Sequence, residues 1–317
     1  MDHIVEINGL SKDYETGFWR KRRVRALDAL DLNVKPGGIF GFLGGNGAGK
    51  TTTIKILMGL LFPTEGTARI LGRELDDVEM RSRIGYCPEN PYFYDYLTAN
   101  ELMDYFGQIF GLNAADRSAR SAELLDAVGI RERDRGRQLR KFSKGMLQRV
   151  GLAQALINSP EIVFLDEPMS GLDPVGRREI RELIAGLREK GTTVFMSTHI
   201  LSDVEALCDE VAILRRGRLA ASGKLADLLA TSAGPRVFEV IVNGDAGKIG
   251  AALAGIAALT EKPAGIAIEA TGDDELDRVL AVAREAGATL VSVNPLRQSL
   301  EELFVEPAAD AEGSDQG

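Results

Sequence analysis

Apolar and polar positions alternate through Ile4-Val5-Glu6-Ile7, and a second extended segment runs from Val24 to Val34 before Pro36-Gly37-Gly38 breaks it. A period of two predicts strands with one buried face. Ile39 to Leu43 has no such alternation; a short apolar run of this kind predicts a strand buried on both sides. From Thr51 to Leu61 the spacing becomes helical, closed by Pro63 and Gly66. Between that strand and that helix stand Gly44-Gly45-Asn46-Gly47-Ala48-Gly49-Lys50-Thr51. The order is therefore strand, glycine loop, helix.

Helical spacing dominates again from Thr98 to about Val150, with Leu102, Tyr105, Phe106 and Ile109 on one side. This block holds little strand-like sequence and predicts a helical insert at about 98–150. Apolar strand runs return at Ile162–Leu165, Thr193–Met196 and Val211–Leu214, separated by helical stretches, as in a parallel sheet. Ala230 to Pro235 reads as a linker. Beyond it come a strand at Val237–Val242, a helix at Glu275–Glu285, a strand at Thr289–Val293 and a short helix at Ser299–Val305. The expected organisation is an α/β domain over residues 1–229, a small α+β domain over 236–305 and a disordered tail at 306–317.

Composition narrows the class. No apolar stretch approaches the roughly 18–20 residues that a membrane-spanning helix needs. Met1-Asp2-His3 lacks the basic start and apolar core of a secretory signal. A cytoplasmic chain is expected, reaching a membrane only through a partner. Cys87 and Cys208 have no metal-like spacing, so neither zinc nor a disulfide framework is expected. The net charge of −9 argues against a nucleic-acid partner. The one basic run, Trp19 to Arg25, reads as a solvated hairpin tip, with a phosphate-lipid or partner contact as the alternative.

The glycine segment fits G-x-x-x-x-G-K-[ST]. Backbone N–H groups across Gly44, Asn46, Gly47, Ala48 and Gly49 can turn inward onto phosphate oxygens, helped by the positive end of the following helix. In such a loop Lys50 reaches the β- and γ-phosphates, the Thr51 hydroxyl ligates Mg²⁺, and Thr52 adds a hydrogen bond to phosphate. Far downstream, Ile162-Val163-Phe164-Leu165 ends in Asp166-Glu167. Burying that strand delivers two carboxylates to the edge where α/β sheets bind ligands. Asp166 suits Mg²⁺, and Glu167 suits orienting and deprotonating an attacking water.

With these landmarks in place, the chain resembles the ATP-binding subunit of ABC transporters over nearly all of residues 3–225. Phe142-Ser143-Lys144-Gly145-Met146 is similar to the family's signature segment, with Gln148-Arg149 following it. Ser170-Gly171-Leu172-Asp173 resembles the D-loop, Ser197-Thr198-His199 the switch-histidine segment, and Tyr14 the aromatic that stacks on adenine. The resemblance implies a P-loop ABC cassette: a mixed sheet core with a β subdomain and a helical insert. It further implies ATP and Mg²⁺ as cofactors, His199 as the residue that holds water and senses the γ-phosphate, and Asp173 as a coupling residue.

It also implies two partners. Ser143 can cap a helix whose free N–H groups face outward, and the same chain already holds its own triphosphate at Lys50. A second anion-binding helix start, Ser143 to Met146, therefore suits the nucleotide of another copy, giving a head-to-tail homodimer around two ATP. The other partner is a polytopic membrane permease. The Ser-Lys-Gly-Met signature and Leu300-Glu301-Glu302-Leu303-Phe304 resemble exporter subunits. A soluble non-transport ATPase and a nucleotide-gated regulatory module are the alternatives, although this chain has neither tandem cassettes nor a long coiled coil. Four positions depart from the common pattern: Gly45 for proline, Lys144 and Met146 in the signature, and Glu89 where the family has the Q-loop glutamine. Glu89 is expected to keep the coupling role, to contact the metal, and to alter its dependence. Seven of the chain's 19 aromatics fall within 92–110, either as helical-insert core or as a groove gripping a permease helix.

Overall fold

The computed structural model describes residues 2–17, 22–231, 237–254, 257, 259–262 and 265–296. Contacts divide the chain into two compact units, Met1–Leu225 and Ala226–Gly317.

The first unit opens with the antiparallel hairpin β1 (Val5–Thr16) and β2 (Arg22–Val34), followed by β3 (Ile39–Leu43) and α1 (Lys50–Leu57). Next come β4 (Glu65–Ile70), β5 (Arg73–Glu74), α2 (Val78–Ser82) and β6 (Ile84–Cys87). The helical stretch is α3 (Ala99–Ile109), α4 (Ala114–Ala127), α5 (Glu132–Arg135) and α6 (Lys144–Ala155). The chain returns through β7 (Ile162–Asp166), α7 (Pro174–Glu189), β8 (Thr193–Thr198), α8 (Leu201–Leu207), β9 (Glu210–Arg215) and β10 (Arg218–Lys224); α9 (Leu225–Thr231) begins at the boundary between the units.

These strands form two sheets. One is antiparallel, in the order β2-β1-β4-β5. The other runs β10-β9-β3-β8-β7-β6; β9 through β6 are parallel and only the edge strand β10 is antiparallel. Every residue of β3, β7 and β8 is buried, as their uninterrupted apolar runs require. Phe195 of β8 anchors the layer, with ring centroids 5.3 Å from those of Phe40, Phe42 and Phe164. Ile54, Ile56 and Leu57 of α1 join the same core with Leu27 and Leu30 of β2, so the helix behind the glycine loop is packed between the two sheets.

Two expectations are corrected here. The first helix stops at Leu57 instead of running to Leu61, because Gly59 turns left-handed (φ 67°) and the amides of Leu60 and Leu61 both fold back onto the Lys55 carbonyl. On α3 the buried stripe is Ala99, Leu102, Met103 and Gly107; Tyr105 and Ile109 are 48% and 58% exposed, so the apolar side is one register off the one expected.

The second unit contains β11 (Val237–Asn243), α10 (Ala246–Ala252), β12 (Leu259–Lys262), β13 (Gly265–Thr271), α11 (Asp273–Glu285) and β14 (Thr289–Leu296). The βαββαβ order with sheet order β12-β13-β11-β14, all antiparallel, is ferredoxin-like. Val240, Val242, Ile266 and Ile268 pack against Ile249, Leu253, Val279 and Ala283 of the two helices. The expected helix at Ser299–Val305 and the tail at 306–317 lie outside the described residues, as do the first three residues of the basic run, 19–21.

Candidate functional site

β3 ends at Leu43 and delivers the chain into the glycine loop. Gly44 is buried, while Gly45, Asn46 and Gly47 form the exposed tip. The amide of Ala48 donates to the Gly45 carbonyl at 3.2 Å, which curls the loop. Gly49 then caps α1 with φ at 109°, a backbone that a side chain rarely tolerates; a Cβ there would also lie 2.7 Å from the Ala26 carbonyl oxygen. No side chain caps this helix, so its first amides stay available at the loop. The contrast with α2, α3, α4, α6 and α7 is informative, since Asp77, Thr98, Asn113, Ser143 and Asp173 cap those helices.

Lys50, the first residue of α1, is buried, and its ammonium turns back into the loop. Nζ donates to Gly44 O at 2.6 Å and Gly45 O at 3.4 Å, and lies 3.4 Å from Glu167 Oε1. A cation held this way, inside a ring of amides, is ready to exchange carbonyl partners for phosphate oxygens. The Thr51 hydroxyl donates to Asp166 Oδ1 at 3.4 Å. Tyr14, on β1, brings its hydroxyl to 3.4 Å from that of Thr52, with Lys12 Nζ 5.5 Å from its ring centre.

The acids arrive on the neighbouring strands. Asp166 and Ser197 are register partners at the ends of β7 and β8. The Ser197 hydroxyl donates to Asp166 Oδ1 at 2.5 Å and accepts from the Glu167 amide at 3.1 Å. Glu167 takes a left-handed backbone (φ 49°), uncommon outside glycine and characteristic of strained positions at functional sites. This turn aims its carboxylate back at the loop, where His199 Nδ1 lies 3.0 Å from both of its oxygens. Burial pushes the Tyr86 hydroxyl and the Cys87 thiol of β6 up to about 12, and the negative charge of Asp166 adds to both shifts.

The structure thus gathers the Gly44–Thr52 loop, Asp166, Glu167 and His199 at the carboxyl ends of the parallel strands, with Tyr14 of the other sheet meeting the loop at Thr52. Glu89 follows β6 two residues after the strand leaves the sheet, and is half-buried. Ser143 caps α6, its Oγ accepting from the Met146 amide at 3.2 Å; Ser143 and Lys144 are exposed, Gly145 and Met146 half-buried. Asp173 caps α7 by accepting from the Gly176 amide at 2.8 Å. Among the described residues no hydrogen bond or ion pair joins Ser143–Met146 to the loop, so the two helix starts are separate. Ser197 is a support that sequence reading did not single out. Its only local signal is its place as the first residue of the histidine segment, at the end of an apolar strand run.

The donor set fits a nucleotide triphosphate with Mg²⁺. A hydroxyl and a buried carboxylate are hard oxygen donors, the type Mg²⁺ takes. Among the described residues no group of three or more His, Cys, Asp or Glu could hold an ion alone. That too suits Mg²⁺, which one or two protein oxygens hold while phosphate and water complete its shell.

A glycine loop on an uncapped helix, with adjacent acids at the end of a parallel strand two places away in the same sheet, defines a P-loop ATPase. The sequence profile of the ABC transporter family matches residues 27–170. The chain is 45% identical over 305 residues, 96% of its length and 84% of the other's, to the uncharacterized ABC transporter ATP-binding protein sll0415 of Synechocystis. It is 33% identical to the daunorubicin resistance ATP-binding protein DrrA3 of Streptomyces coeruleorubidus, covering 98% of this chain and 97% of that one. A solved dimeric structure of the ATP-binding cassette MJ0796, in a post-hydrolysis state bound to ADP and Pi, superposes with a TM-score of 0.64 at 28% identity, over 70% of this chain and 98% of that one. The chain belongs to the ABC transporter family as an ATP-binding subunit, and that family's ATPases hydrolyse ATP. No helix of the described residues is long and apolar enough to cross a membrane.

Proposed function

We propose that the chain is the motor of an exporter: two copies close head to tail on two Mg·ATP and drive a separately encoded polytopic permease at the cytoplasmic face of the membrane. The observation that carries this reading is the pair of helix starts. The uncapped start at Lys50 faces its own loop, whereas the Ser143-capped start is exposed and, among the described residues, shares no hydrogen bond or ion pair with that loop. A second copy would supply that nucleotide.

In this reading Tyr14 stacks on adenine, and the amides of Gly44–Gly49 with Lys50, Thr51 and Thr52 hold the phosphates. Thr51 and Asp166 would hold Mg²⁺, with Glu89 near it; when bound, the ion neutralises charge on the β- and γ-phosphates. Glu167 accepts a proton from the attacking water, and His199, already at hydrogen-bond distance from that carboxylate, fixes its orientation. Water attacks the γ-phosphorus in line as its bond to the β,γ-bridging oxygen breaks and ADP leaves, and Lys50 stabilises the transferred charge together with Ser143, Lys144, Gly145 and Met146 of the second copy. Asp173 carries the state of one site to the other.

The permease would dock at the groove beside α3. Met58, Ile84, Tyr86, Pro91, Phe106 and Phe110 line it, and Tyr92 and Tyr94 stand exposed at 95% and 59% nearby. An apolar groove of this kind suits an amphipathic helix. Similarity to a daunorubicin resistance protein along nearly the whole of both chains supports export.

The test is Glu167→Gln. This variant should bind ATP, lose turnover by about a hundredfold or more, the scale of removing a general base, and accumulate as a dimer in Mg·ATP on a sizing column. Turnover near wild type would sink the assignment.

A further inference from the structure

The first two turns of α6 are tied to the segment that follows β7 at three places. The aliphatic stem of Lys144 lies over Gly171, where a Cβ would come within 3.2 Å of Lys144 Cδ. A Cβ on Gly145 would lie 3.2 Å from Leu172 Cδ2. The third tie is a charged one: Arg149 Nη2 meets Glu179 Oε2 of α7 at 2.7 Å, while its Nη1 donates to the Val128 carbonyl at the end of α4 at 2.8 Å.

The backbone around this guanidinium is cut to receive it. A Cβ on Gly129 would lie 2.6 Å from Nη1, and one on Gly176 would lie 2.9 Å from Nη2. Gly176 is also the residue whose amide Asp173 caps. One planar fork therefore bridges the helical insert, the signature helix and the first turns of α7. A lysine, with a single point charge, cannot span both partners.

We infer that Arg149 is a positioning residue that holds the Ser143 helix start and the 171–173 loop as one body, so that both meet a second copy in register. The inference rests on the head-to-tail dimer proposed above. Arg149 touches neither the glycine loop nor the acids, so its loss should spare ATP capture by one chain and impair closure of two. Ser143 sits six residues from Arg149, about 9 Å along the helix axis. An untethered α6 would therefore swing Ser143 relative to Asp173.

The experiment uses the full chain in the Glu167→Gln background, with Arg149→Ala, Arg149→Lys, Glu179→Ala and the Arg149→Ala/Glu179→Ala double variant. Two quantities are read: affinity for a fluorescent ATP analogue at protein concentrations where the chain is monomeric, and the dimer dissociation constant in Mg·ATP by sedimentation. The expected result is analogue affinity within about twofold of the parent, as for distant sites. Dimerisation should weaken by about tenfold or more in Arg149→Ala, since truncation removes both the tie to Glu179 of α7 and the bond to the Val128 carbonyl. Arg149→Lys should resemble Arg149→Ala, and the double variant should be no worse than Arg149→Ala alone. Dimerisation at the parent's level in Arg149→Ala overturns the inference, and so does a loss of analogue affinity in step with dimerisation. Should Arg149→Ala misfold, Glu179→Ala decides alone, because Glu179 is half exposed and its truncation opens no cavity; parent-like dimerisation there overturns the inference. A Glu167→Gln parent that stays monomeric in Mg·ATP removes the dimer reading itself, and the inference with it.

Discussion

Glu167 shows how much the site asks of a single residue. Its left-handed backbone costs on the order of 1 kcal/mol, and its carboxylate is buried between Lys50 and His199. Ser197 offsets part of that cost, because the Glu167 amide donates to both the carbonyl and the hydroxyl of Ser197. The cysteines give a sharper test at this scale. Burial holds the thiols of Cys87 and Cys208 up at about 12, against roughly 8.5 in an unfolded chain. Below pH 8.5 both states keep the proton and the shift has no effect on stability. Between about 8.5 and 12 the unfolded chain releases protons that the native chain retains, so stability falls with rising pH, by at most about 1.4 kcal/mol per unit for each thiol. A thiol-disulfide reagent at pH 8 should therefore leave both cysteines unmodified until denaturant is added. Urea titrations of Cys87→Ala/Cys208→Ala should also show a shallower loss between pH 9 and 10.5 than those of the wild type. Rapid labelling of the native chain would contradict the burial.

Capping is legible at the scale of elements. The Thr98 hydroxyl accepts from the Glu101 amide at 3.2 Å, and the Glu101 carboxylate accepts from the Thr98 amide at 2.8 Å, a complete capping box at the head of α3. Thr98→Ala should cost about 1 kcal/mol and lower the melting temperature by about 2 °C, with ATP affinity unchanged; calorimetry and nucleotide titration check both. β3, α1, β7 and β8 were readable because their signals are local: a continuous apolar run, a glycine loop, two adjacent acids. β6 was not. It is four residues long with Gly85 in its middle, where a Cβ would lie 2.0 Å from the Ala155 carbonyl oxygen. That glycine answers to a helix packed against it, not to strand propensity. β10 was missed because its half-exposed Leu219-Ala220-Ala221-Ser222-Gly223 carries little strand preference. The links Ser197–Asp166 and Arg149–Glu179 were invisible for a third reason: each spans about thirty residues of sequence, and pairing across such a gap leaves no periodic trace.

At the scale of the molecule, every residue gathered at the candidate site lies at or before His199, within Met1–Leu225. The second unit has a core of its own. A chain ending after Thr231 should therefore keep its affinity for an ATP analogue within about twofold, as independent sites do. A larger loss in a fluorescence titration would give the second unit a part in holding nucleotide.

The order of the six-stranded sheet also sets a timetable for synthesis. β3, which carries the glycine loop, pairs only with β8 and β9, whose residues 193–198 and 210–215 are made long after its own 39–43. At about 5–20 residues per second the ribosome needs roughly 8–30 s to supply those neighbours. For that interval a fully apolar strand has both edges open and its loop has no scaffold. A nascent chain thus passes through a window in which it can neither capture nucleotide nor hide its most aggregation-prone segment, and this family member's need for chaperone cover should be greatest there.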